Sequence, residues 1–238
     1  MGTAVLFDVR DTEPTGPIVD QAVAHLRWVE AVFSTYRPDS EISQIRLGRR
    51  SIAGANSVVR EVLAACDRLR RDTKGAFDHR SGTDLDPAGY VKGWAIEGAA
   101  GILLDAGVES FLISAGGDIV GRGSPDGREA WKVGIRDPLD PEAVVGTVTL
   151  SESAVATSGR YERGDHVWGS DGQEKQLSGV SVVGPNLGIA DALATAVLAT
   201  GADELGWLQR FPGYGVLAVT SERQILRTPD VPFDSPTQ

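Results

Sequence analysis

Behind Pro17, apolar residues recur at Ile18, Ala22, Leu26, Val29 and Phe33, the spacing of a helix with one buried face. The same period predicts helices from Ser57 to Arg71 and from Gly93 to Ala106, the second with Ile96, Ala100 and Leu103 inward. Pro38-Asp39-Ser40-Glu41 opens a shorter helix. Val5 to Val9 alternates weakly as a strand, and further strands are expected at Ser110 to Ser114, Trp131 to Ile135, Gly146 to Leu150 and Val180 to Val183, each ended by Gly, Pro or Asp. Ile189 to Thr200 and Asp203 to Phe211 read as helices, Gly215 to Arg227 as a hairpin, and Pro229 to Gln238 as a frayed tail. No repeat, linker or regular β-α-β alternation interrupts this order. The expectation is an α+β fold in a single domain over residues 1–228, with mixed or antiparallel sheets and packed helices, followed by a tail over 229–238.

Composition narrows the function. With 238 residues, 41% hydrophobic, the chain is long enough for a sizeable core. A net charge of −10, from 33 acidic and 23 basic residues, argues against nucleic acid or anionic lipid as a partner, since both are attracted by a basic patch. One cysteine, Cys66, and three histidines supply neither an internal disulfide nor a nitrogen-and-sulfur zinc cage, so a metal here is expected to be hard and oxygen-bound. No run approaches the roughly 20 apolar residues of a membrane span. The chain as given opens without a signal segment, so it is expected to be cytoplasmic, or an exported lipoprotein if a leader precedes it.

Four segments carry candidate chemistry. Asp191 and Thr195 stand four apart in a predicted helix, which puts a carboxylate and a hydroxyl on one face, where they can share a Mg²⁺; the competing reading is a helix start with a packed threonine. Ser114-Ala115-Gly116-Gly117-Asp118 follows a strand, and its paired glycines allow close approach of a ligand to the backbone while Asp118 accepts from a ribose or base; equally it is a tight turn. Asp86-Pro87-Ala88-Gly89-Tyr90-Val91-Lys92-Gly93 reads as a loop ahead of a helix, a place for a phosphate neutralised by Lys92, or else a solvated helix start. Ala156 to Arg163, with His166 beyond, is polar and punctuated by glycine in the manner of a binding loop rather than a core strand, and His166 is a candidate general base. GxSxG, HExxH and Walker patterns are absent from the sequence.

Taken in order, Met1-Gly2-Thr3, Phe33 to Ser43 (Phe-Ser-Thr-Tyr-Arg-Pro-Asp-Ser-Glu-Ile-Ser), Gly75-Ala76-Phe77-Asp78, Asp86 to Gly93, Ala115 to Asp118, Ala156 to Arg163, and Ala190-Asp191 with Thr195 resemble the ApbE family of FAD:protein FMN transferases. The resemblance runs to about residue 200. It implies a Mg²⁺ held by Asp191, Thr195 and a backbone carbonyl before Lys92, that of Gly89. It implies FAD contacts at Met1, Tyr36, Ala76, Phe77, Asp78, Asp86 and Lys92, with Val167 and His166 beside the flavin phosphate; Asp118 and Ser158 complete the candidate FAD-binding set. The implied reaction moves FMN from FAD to a Thr or Ser hydroxyl of a target flavoprotein bearing a Ser/Thr-Gly-Ala-Thr/Ser-like site, with release of AMP and with His166 or Asp191 as base. The alternatives are a Mg²⁺-dependent FAD pyrophosphatase and a non-catalytic FAD-binding or storage protein.

The chain departs from the family pattern in three places. His166-Val167-Trp168-Gly169-Ser170-Asp171-Gly172 lacks the Asp-Pro and Thr-Gly of the pattern, the stretch from Asp78 to Asp86 is short, and Glu97 stands where Asp is usual.

Overall fold

The apolar faces meet on a seven-stranded sheet in the computed structural model of the chain, which describes residues 3–11, 15–81, 84–159, 177–202, 205–229, 231 and 233–234. In chain order the elements are β1 (Val5–Val9), α1 (Gly16–Phe33), α2 (Glu41–Arg46), a 3-10 turn (Ile52–Gly54), α3 (Ser57–Asp72), β2 (Arg80–Ser81), β3 (Asp84–Leu85), α4 (Ala88–Asp105), β4 (Phe111–Ala115) and β5 (Asp118–Arg122). They continue with β6 (Trp131–Asp137), β7 (Asp140–Leu150), β8 (Ser153–Gly159), β9 (Leu177–Gly184), α5 (Leu187–Thr200), a 3-10 helix (Leu205–Arg210), β10 (Gly215–Thr220), β11 (Ile225–Arg227) and β12 (Phe233–Asp234).

The large sheet runs β1-β4-β5-β8-β9-β10-β11, antiparallel throughout, and a second sheet runs β12-β7-β6. Side chains alternate across a strand, so each inner strand of the large sheet serves two cores. Ala154, Ala156, Val180, Val182, Val216 and Ala218 join the helical core. Val155, Val183, Leu217 and Val219 point the other way, onto Trp131, Val133, Ile135, Val148 and Leu150 of the small sheet. The order from one side to the other is helices, large sheet, small sheet: an α+β fold, as the sequence predicts.

α5 lies directly on β8 and β9, α4 lies on α5, and α1 lies on α4. Burial of α5 is nearly complete around its circumference, from Leu187 and Gly188 through Ala190–Ala194 to Ala196–Leu198. α1 buries Ala22, Leu26, Val29 and Phe33, the face read from its periodicity. Polar caps start two of the helices: the Ser40 side chain accepts from Ser43 N at the start of α2, and Asn186 accepts from Ile189 N, 3.0 Å, at the start of α5.

Three expectations need correction. α4 begins at Ala88 rather than Gly93, because Asp86 Oδ1 accepts from Ala88 N (3.0 Å) and the Pro87 carbonyl accepts from Tyr90 N and Val91 N, which starts the helix directly behind the proline. Ala156–Gly159 is not a loop but the second half of the central strand β8, paired with Gly179–Val182 of β9. Part of the tail is ordered: Val231 is buried, and Phe233 and Asp234 pair with Val148 and Thr147.

Candidate active site

α4 and α5 cross in opposite directions with almost no side chain between them. A Cβ on Gly93 would lie 2.4 Å from the Leu187 carbonyl oxygen, and one on Gly188 would lie 3.1 Å from Trp94 N. Glycine at both positions is what permits this approach. The contact brings Asp191, fully buried, onto the start of α4, where its Oδ2 accepts from Gly93 N at 3.2 Å. The regular helical acceptor for that N–H is the Gly89 carbonyl, so the carboxylate draws on the same donor. One turn further along α5, Thr195 Oγ1 stands 3.0 Å from where a Gly89 Cβ would be, with the Phe77 ring 3.4 Å from the same point. The four-residue spacing of Asp191 and Thr195 thus does place both on the face that meets α4. Gly89 and Lys92 belong to the first turns of that helix and not to a preceding loop.

A second carboxylate closes the site. Gly116 and Gly117, at φ +56° and +91°, form the two-residue turn between β4 and β5. Asp118 follows as the first residue of β5, fully buried. Its Oδ1 accepts from Thr157 N of β8 at 3.2 Å, and its Oδ2 lies 3.0 Å from Lys92 Nζ. The Asp118 carboxylate is thus turned inward onto the lysine. Burial first, then the charge of Asp191, push the Asp118 carboxyl up to about 8, against the pull of Lys92 and of the Thr157 N–H. Asp191 and Thr195 set a carboxylate and a hydroxyl on one face at this crossing, hard oxygen donors of the kind that suits a divalent cation. Among the described residues no three His, Cys, Asp or Glu side chains cluster to hold a metal.

The remaining candidates sit around this centre to differing degrees. Phe77 is buried and stacked on His79, and Asp86 stands at the start of α4. Ala76 is half-buried and lines a cleft of about 440 Å³ with Thr73, Lys74, Gly75, Thr200, Gly206 and Trp207. Asp78 pairs with Arg70 at 2.9 Å on the surface, and Tyr36 is 97% exposed. Ser158 is buried within β8, next to the Thr157 N–H that serves Asp118. Met1, His166 and Val167 lie outside the described residues. One supporting group was noted in the sequence only as a departure. Glu97 Oε1 accepts from Leu187 N at 2.6 Å, the first N–H of α5, and its Oε2 meets Arg122 Nη2 of β5 at 3.0 Å. That glutamate ties α4, α5 and the sheet together.

Fold and centre together define an α+β protein with an oxygen-rich, partly cationic site at a helix crossing. The sequence matches the ApbE family over residues 1–83 and 79–218. The chain belongs to the ApbE family. A FAD:protein FMN transferase of Rhodobacter capsulatus is 30% identical over 192 residues, covering 74% of this chain and 36% of that protein. The FAD:protein FMN transferase of Treponema pallidum (strain Nichols) is 28% identical over 198 residues, 70% of this chain and 54% of that protein. The chain thus spans about half or less of the length of these curated relatives. Among solved structures, the ApbE protein of Thermotoga maritima superposes with a TM-score of 0.80 at 22% identity, covering 96% of this chain and 94% of that one. The apo flavinyl transferase ApbE of Pseudomonas stutzeri gives 0.74 at 21% identity, covering 96% of each chain. At these identities the structures share the fold.

Proposed function

We propose that the protein is a Mg²⁺-dependent FAD:protein FMN transferase, moving FMN from FAD to a Thr or Ser hydroxyl of a target flavoprotein and releasing AMP. The observation that carries this reading is the convergence of Lys92, Asp118, Asp191 and Thr195 at the α4–α5 crossing. Membership of the family, whose named relatives carry out this transfer, supports it.

Asp191, Thr195 and the Gly89 carbonyl would hold the Mg²⁺, which when bound supplies Lewis-acid neutralisation of pyrophosphate charge. Lys92 offers a second positive group from the start of α4, whose N-terminal dipole also favours phosphate. In the transfer, the target hydroxyl oxygen bonds to the FMN-side phosphorus, the bond from that phosphorus to the bridging oxygen breaks, and AMP leaves with the oxygen. Lys92 stabilises charge on the phosphoryl oxygens as this happens, and little covalent chemistry is asked of the protein. The hydroxyl proton passes to Asp191 or His166. The half-buried Ala76 and the buried Phe77 would provide apolar contact along the dinucleotide.

The test is to incubate the protein with FAD and Mg²⁺, with and without a flavoprotein carrying a Ser/Thr-Gly-Ala-Thr/Ser-like site. AMP release and flavin fluorescence retained on the denatured target are followed together. Covalent, Mg²⁺-dependent labelling is expected. AMP without labelling replaces the transferase with a pyrophosphatase, and FAD binding with neither product makes the protein a flavin carrier. A His166→Ala variant that keeps its turnover assigns the proton to Asp191.

A further inference from the structure

We infer that Asp118 is the positioning residue for Lys92, fixing the ammonium of a flexible side chain at the α4–α5 crossing so that it meets the pyrophosphate in one geometry. The inference rests on the proposed function only for what Lys92 then does.

Three observations lead to it. Asp118 is itself immobile: β5 pairs it with Ala115 across a two-residue glycine turn, and Thr157 N of β8 holds its Oδ1. It has no exposed surface, so solvent does not compete for its Oδ2, which Lys92 Nζ approaches to 3.0 Å. Lys92 is 22% exposed at its side chain, so the ammonium stands at the boundary between the buried carboxylate and the open side of the site. A lysine head samples many rotamers, and a rigid partner removes that freedom before substrate arrives. Asp118 need not touch FAD to act: it determines where the cation that does so is found. The β4–β5 turn is thereby part of the catalytic design although it lies beneath it.

The first arm needs no substrate. Lys92 in the full chain is labelled with an amine-reactive reagent and its rate read by mass spectrometry; Asp118→Asn is expected to raise that rate about fivefold or more, because the charge-assisted contact is lost. The second arm is a double-mutant cycle on AMP release. Asp118→Asn is expected to lower kcat on the order of thirtyfold with KM for FAD moving less than about threefold. In a Lys92→Met background the same change is expected to cost less than about twofold. An unchanged labelling rate overturns the inference, and so does an undiminished loss in the Lys92→Met background, since Asp118 would then act by another route. If the wild-type protein releases no AMP, it is the proposed function that falls, and labelling alone decides whether Asp118 holds Lys92. Circular dichroism checks folding. Should Asp118→Asn fail to fold, Asp118→Glu keeps the charge and displaces it by one methylene: a lowered kcat with slow labelling is expected, and wild-type kcat overturns the idea.

Discussion

Replacing Gly93 by alanine adds one methyl group at the closest point of the α4–α5 crossing. That carbon would lie 2.4 Å from the Leu187 carbonyl oxygen, 2.7 Å from the carbonyl carbon and 2.9 Å from Gly188 Cα. All three are backbone atoms, so no rotamer relieves the clash. The start of α5 is also held in place by the Asn186 cap and by Glu97 on Leu187 N. Restoring ordinary contact requires the helices to part by roughly 1 Å. Overpacking of this kind costs about 1–3 kcal/mol, and a purely backbone clash belongs at the upper end, partly offset by alanine's helix propensity of about 1 kcal/mol. A net loss of about 2 kcal/mol is expected. The same separation moves Asp191 and Thr195 away from Gly89 and Lys92, and a misplacement near 1 Å lowers turnover on the order of a hundredfold. Gly101 in the same helix is the control, because a Cβ there meets nothing within 4 Å. Gly101→Ala is expected to stabilise the protein by roughly 0.5–1 kcal/mol with turnover unchanged. Urea unfolding at constant slope, paired with AMP release, reads both quantities. The reasoning is refuted if Gly93→Ala raises the unfolding midpoint as Gly101→Ala does, or leaves turnover intact.

Glu97→Ala takes the nearest carboxylate from the Arg122 guanidinium, 9% exposed, and the side-chain acceptor from Leu187 N, and is expected to cost about 2–3 kcal/mol in urea unfolding. Glu152→Ala, which removes a 72% exposed partner at 3.8 Å, is expected to cost under about 1 kcal/mol, and equal losses would show that burial is not what matters. His79 is buried, neither ring nitrogen has a hydrogen-bond partner among the described residues, and burial followed by the charge of Arg80 holds its imidazole below 6.5. Below that pH the unfolded chain takes up a proton that the folded chain refuses, so this contribution to stability is present above 6.5 and is lost as pH falls toward the lowered folded value. His79→Phe should therefore shrink the difference in urea midpoint between about pH 7.5 and about pH 5; an unaltered difference would assign the pH dependence elsewhere. Asp191→Ala is expected to abolish AMP release while FAD binding, measured by fluorescence titration, persists through apolar contacts; full activity would remove Asp191 from the centre.

What the sequence made legible follows from how many sides of each element are buried. α1 has a solvent face, so Ala22, Leu26, Val29 and Phe33 stand out against polar neighbours. The Asp191–Thr195 spacing was readable because a helix repeats its face every four residues. The polar run from Ala156 reads as a loop because Thr157, Ser158 and Gly159 look solvated, yet Ser158 is buried and Thr157 bonds Asp118 and Ser181 within the sheet. The strand's own residues on the helical side, Ala154 and Ala156, are small, and α5 lies directly on them. The first turns of α4 were missed for a related reason. The expected loop from Asp86 to Gly93 holds two glycines, and in the fold Gly89 and Gly93 are positions where another helix comes close. The Lys92–Asp118 pair had no local signature at all, because two separate elements and a glycine turn bring it together.

The contact between Gly93 N and Asp191 Oδ2 joins residues 98 positions apart in the chain. As the ribosome makes this protein, α4 therefore emerges well before its partner exists. Until residues 187–200 follow, the nascent chain presents a helix whose small-residue seam has nothing to close against and a lysine whose neighbouring aspartates are incomplete. The residues of the crossing cannot come together in a partial product: the order of synthesis delays the centre until most of the large sheet has already been made.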